Sequence, residues 1–183
     1  MNVWRFPMAS WLLTCALVWA GSATAGSRSR PDRFTIALPD PYDRVLDAVR
    51  DVASDGVIHG SAQYESEKEI TGASAVESSP AFARWTGSGE ALYKARPKTI
   101  APSHFEGSRD IGTVMLRFIV EPAGPAQTRI TIDAVFVEDS GHGRHLSQGI
   151  VEIAEFGEIA KRLKRVAGGE PQQKGAPDAG ATK

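Results

Sequence analysis

Two stretches, Gly112–Pro122 and Gln127–Glu138, alternate apolar and polar residues strongly, with Pro122-Ala123-Gly124-Pro125-Ala126 linking them. Period-two alternation predicts strands, and Pro/Gly chemistry predicts the turn, so the pair reads as an antiparallel hairpin. Pairing positions whose numbers add to 250 sets Val114 against Phe136, Leu116 against Ala134, Phe118 against Ile132 and Val120 against Ile130. The same register sets Arg117 against Asp133 and Glu121 against Arg129 on the other face. Apolar pairs on one side and opposite charges on the other predict a sheet with one face in the core and one in water. A slip of one residue would break both sets.

Helical periodicity marks two further segments. Tyr42, Val45, Leu46, Val49, Val52 and Ala53 form one apolar stripe, with Asp40 as expected N-cap, Pro41 at the first helical position and Gly56 closing the end. Ser147–Ala167 predicts a final helix whose stripe is Ile153, Phe156, Ala160, Leu163 and Ala167, widened by Ile159 and Val166. Its acids (Glu152, Glu155, Glu158) precede its bases (Lys161, Arg162, Lys164, Arg165), which suits the helix dipole and allows a Glu158–Arg162 pair. Weaker patterns predict strands at Phe34–Leu38, Val57–Tyr64, Glu69–Ala75 and Ala91–Arg96, the last ended by Pro97. The order β-α-β-β-β-β-β-α implies an α+β fold, an antiparallel sheet of five or six strands with two helices on one face. As architecture alone, this is loosely similar to the helix-grip arrangement, in which a long C-terminal helix lies across a curved sheet. Bacterial envelope proteins and lipid-binding domains use that arrangement, but fold does not carry function.

The ends change the picture. Arg5, the apolar run Trp11–Ala20 and Ala23-Thr24-Ala25 have the form of a secretory signal peptide over residues 1–25. The run is about half the length a membrane span needs. Cys15 lies inside it, with large Leu13 and polar Thr14 before it, which argues against a lipidated cysteine. Residues 26–33 and 168–183 are polar or Gly/Pro-rich and are expected to stay unstructured, which leaves 34–167 as one domain.

Of the chain's 183 residues, 42% are hydrophobic, with 21 Lys+Arg against 22 Asp+Glu. A net charge of −1 gives no electrostatic case for nucleic acid or an anionic membrane surface. Cleavage after Ala25 removes the one cysteine and three of the four tryptophans, leaving Trp85. Disulfides, thiol nucleophiles and thiolate metal ligands go with it.

Phosphate-loop, dinucleotide, nucleophile-elbow and zinc-protease motifs are all missing from the sequence. No catalytic residue and no cofactor are assigned. If the strands form a meander, the connections 97–111 and 139–146 emerge at one end. They carry His104, His142 and His145, a candidate metal site for zinc given imidazole and carboxylate donors. At the other end Phe82 and Trp85 follow Pro80, either anchoring a ligand or partner or plugging the edge of the core. His59 reads as structural, and Lys94, Arg96 and Lys98 as a solvated basic row or an anion site. The leading expectation is an exported, non-enzymatic envelope or periplasmic domain that binds a small apolar ligand between helix and sheet, or an envelope protein partner. A zinc hydrolase on the loop histidines and a ligand-free structural accessory protein are the alternatives.

Overall fold

In a computed structural model of the chain, residues 33–62 and 68–167 are described. The expected signal peptide, most of the 26–33 segment, the C-terminal tail and residues 63–67 lie outside the described residues. The order is β1 (Phe34–Leu38), α1 (Tyr42–Ala53), β2 (Val57–Ile58), β3 (Ile70–Thr71), β4 (Ser74–Val76), β5 (Glu90–Ile100), β6 (Ile111–Gly124), β7 (Gln127–Glu138), β8 (Arg144–Leu146) and α2 (Ile150–Ala167). The main sheet is antiparallel, ordered β1-β7-β6-β5-β4, with β8 also on β7; β2 and β3 form a separate two-stranded piece. The class is α+β, as the periodicities predict.

The hairpin register is the one read from side chains: Val114–Phe136, Leu116–Ala134, Phe118–Ile132, Val120–Ile130, Arg117–Asp133 and Glu121–Arg129 are all partners. β1 and β8 lie end to end along one edge of β7, opposite Thr128–Ile132 and Val135–Val137 respectively. The helices pack on the face carrying Val114, Leu116, Phe118 and Val120 of β6 with Ile130, Ile132, Ala134 and Phe136 of β7. Val45, Val49 and Val52 of α1 and Val151 and Ile159 of α2 meet them there, all fully buried. These side chains make the helix–sheet interface the core of the domain.

Several local expectations are corrected. Pro41, not Asp40, occupies the N-cap position of α1, and no side chain caps it. The Asp40 carboxylate instead accepts from Arg44 at 2.8 Å. The α1 C-cap is Ser54; Gly56, at φ +83°, turns the chain into β2 two residues later. Of the strand expected over Val57–Tyr64, only Val57–Ile58 is strand among the described residues, and the one over Glu69–Ala75 splits at Gly72 (φ +72°) into β3 and β4. β5 runs past Pro97 through a bulge between Arg96 and Thr99, where a residue without an N–H is tolerated. α2 begins at Ile150 and is turned from the expected stripe: Val151, Glu152, Glu155, Ile159 and Leu163 are buried, while Ile153 and Val166 are 58% and 59% exposed.

Candidate functional site

The sheet face opposite the helices is not the solvated one that its charges suggest. Tyr93, Ala95, Ile119 and Val135 are buried there, as are Arg117 and Asp133, at 6% and 7% exposure. The cover is the irregular strap 77–89 between β4 and β5. Two arginines hold it from below. Arg117 donates to Asp133 Oδ2 through Nε (3.0 Å) and Nη2 (2.5 Å), and through Nη1 to the Ala83 carbonyl at 3.1 Å. Arg144 of β8 donates to the Ala81 carbonyl at 2.6 Å. The Phe82 ring lies over the Arg117 guanidinium at 4.7 Å, a cation–π contact, and 6.5 Å from the Tyr93 ring. Ser79 Oγ donates to Met115 Sδ at 2.8 Å.

Between the strap and the start of β5 lies a groove of about 480 Å³, within the size range of small-ligand sites. Glu77, Ser78, Ser79, Phe82, Arg84 and Trp85 line it from the strap, and Glu90, Ala91 and Tyr93 from β5. Both sequence-predicted residues, Phe82 and Trp85, are thus brought to one groove. Trp85 is half-buried and outside the helix-side core cluster. Its indole lies against Gly87 so closely that a Cβ there would sit 2.2 Å from Cζ2, and its Nε1 donates to the Ser88 carbonyl at 3.4 Å. Glycine at 87 is what lets the ring lie on the chain. Glu90 accepts two 3.0 Å bonds from Arg50 of α1.

The loop histidines are distributed otherwise. The two loops do meet: Phe105 bridges Ser147, Gln148 N–H donates to the His104 carbonyl (2.8 Å) and Asp139 N–H to the Ile111 carbonyl (2.9 Å). Yet His104, His142 and His145 do not form a set; among the described residues no three His, Cys, Asp or Glu side chains are grouped to hold a metal ion. His145 lies in β8, with Nδ1 2.8 Å from the Glu106 carbonyl, Nε2 3.2 Å from Glu138 Oε1 and its ring against Phe136. His142 is exposed, and both His104 and His142 have left-handed backbone (φ +68° and +56°).

The largest feature that sequence reasoning missed is a charged cluster on the helix face. Lys94, expected in a solvated row, is fully buried; its ammonium donates to the Val57 carbonyl (2.5 Å) and Asp55 Oδ1 (3.0 Å), and meets both oxygens of Glu155 at 3.3 and 3.4 Å. Glu155 also accepts from the His59 backbone N–H at 3.0 Å. Asp55 Oδ2 accepts from Arg162 at 2.8 Å and faces His59 Nε2 at 2.9 Å, while His59 Nδ1 faces Glu69 at 3.3 Å. Complete burial pushes the Glu155 carboxyl up to about 7 despite the opposing Lys94 charge. Burial also raises Glu152, whose oxygens take Ser147 Oγ (2.6 Å) and the Ala134 N–H (3.3 Å). Asp55 stays below its ordinary value: burial pulls it upward, but hydrogen bonds from His59 and Lys94 outweigh that. These groups tie α2 to β2, β5 and the turn after α1, with Lys94 and Glu155 fully buried at the centre.

No known protein family and no curated protein matches the chain. Among the described residues, no helix is long and apolar enough to cross a membrane.

Proposed function

We propose that this chain is an exported, non-enzymatic binding domain of the bacterial envelope, which holds its partner or ligand in the strap groove rather than between helix and sheet. One observation carries the reading: a single groove gathers Phe82, Trp85 and Tyr93, with the indole fixed in place by Gly87 and Ser88. Aromatic anchors with few torsions, held before binding, lose little entropy when a partner arrives. The signal-peptide pattern supports export, with the chain beginning at Gly26 after cleavage.

Hydrogen exchange on the purified protein, with and without a solubilised envelope extract of the producing bacterium, tests the reading. Protection is expected over residues 77–93 and is lost in Trp85→Ala. Protection on another face, or full protection of the same face by Trp85→Ala, rejects the groove. Export is checked separately by sequencing the N-terminus of the protein recovered from the envelope fraction, where Gly26 is expected.

A further inference from the structure

The groove's own charges narrow what it can hold. Its lining carries Glu77 and Glu90 against Arg84, and Arg50 neutralises Glu90 from outside through two 3.0 Å bonds. The four charges cancel. An anion meets the two carboxylates and a cation meets the two guanidinium groups, so neither has a net attraction. A plain alkyl chain has the aromatic rings to pack on but offers no hydrogen-bonding group to Glu77, Ser78 and Arg84 along the rim. The fitting ligand is uncharged, with an apolar face for a ring and a rim of hydroxyls for carboxylate, guanidinium and serine.

We infer that the groove binds an uncharged pyranose chain, a glycan, with one sugar ring stacked on Trp85. This rests on the groove being the binding site. A pyranose presents C–H groups, slightly positive, on its face and hydroxyls around its edge; an indole face is negative and attracts the former. Charged acceptors and donors such as Glu77 and Arg84 make the stronger class of hydrogen bond to hydroxyls. The platform is built before the sugar arrives: the indole lies on Gly87, its N–H is tied to the Ser88 carbonyl, and the strap beneath is fixed by Arg117 to Ala83 and Arg144 to Ala81. Glu77, Ser78, Arg84 and Glu90 are exposed, so the groove is open to interior units of a long chain as well as to its ends.

Chitotriose and maltotriose are the probes, added to the full chain with the Trp85 indole N–H followed by NMR and identified by its loss in Trp85→Phe. Both the glycan class and the stacking geometry are supported by a saturable indole shift with either sugar, calorimetric affinity at least tenfold weaker in Trp85→Ala, and affinity several-fold weaker in Gly87→Ala, which displaces the ring without removing it. Glu77→Ala, at an exposed position, is expected to weaken binding at least threefold. No saturable shift with either sugar overturns the inference, as does sugar binding that Trp85→Ala and Glu77→Ala leave unchanged. Sodium laurate and the uncharged peptide acetyl-Ala-Pro-Ala-amide are run in parallel. If one of these moves the indole and the sugars do not, the glycan is rejected and the groove stands as a binding site; envelope-extract protection mapping to another face rejects both.

Discussion

Lys94 is a lysine with no exposed surface, and its ammonium is shared among two carboxylates and a carbonyl. Removing one partner of such a group is worse than never having built it, because the others stay buried and charged. Lys94→Met is expected to lower the unfolding free energy by about 3–5 kcal/mol in urea melts, and Lys94→Met with Glu155→Leu to recover part of that loss. Glu155 also sets a pH dependence. With its folded value raised from 4.5 to about 7, the native state binds a proton that the unfolded chain releases across that interval. The stability this carboxyl contributes is therefore complete below pH 4.5 and is lost as pH rises through 7, by at most about 3 kcal/mol. Glu155→Gln is expected to flatten the profile across that window in melts taken at successive pH values. Asp55 and Glu158 act the other way: their folded values are lowered, so their contribution is present above the ordinary carboxylate range and fades as pH falls below it. Nothing near Lys94 in the sequence announces any of this, since its carboxylate partners lie 39 and 61 positions away.

Among the elements, legibility followed the kind of force that shaped each one. The hairpin could be read to the residue because both faces of β6 and β7 carry pairs that fit in one register only. The exposure of its second face could not, because the strap that covers Arg117 and Asp133 has no periodicity to betray it. The periodicity predicts α2 with its start three residues early and its face rotated: counting apolar residues ranks Ile153 above Glu152 and Glu155, whereas fixed partners at Ser147, Ala134, His59 and Lys94 draw both carboxylates inward. Phe82 and Trp85 were legible as rare aromatics in a loop; the groove they share required Gly87 and β5, which only the folded chain brings together. The strap yields a prediction at this scale. Arg144→Ala removes one of its two clamps and is expected to speed amide exchange over residues 79–84 while lowering the unfolding free energy by less than about 1 kcal/mol. Arg117→Ala, which strands the buried Asp133 carboxylate, is expected to cost about 3–5 kcal/mol in the same melts.

For the molecule as a whole, the sheet divides the labour. One face carries the helices, the apolar core and the ion cluster; the other carries the strap and the groove. β5 joins them, with Lys94 directed to the cluster and its neighbour Tyr93 lining the groove. The shared edge of β7 has a further consequence, for the order in which the chain folds. The β6–β7 hairpin closes across a two-residue turn, but β1 reaches β7 only across some 96 positions, as Thr35 does in meeting Thr131. Long loops cost more entropy to close, so local pairings form first and distant ones wait. Substitutions in the hairpin, such as Val120→Ala, should therefore slow refolding, whereas Ile36→Ala in β1 should chiefly speed unfolding, a division that stopped-flow kinetics would read directly. Until that first strand arrives, the Thr128–Ile132 edge of β7 stands unpaired, and its docking is the step that seals that edge against a stray strand from another chain.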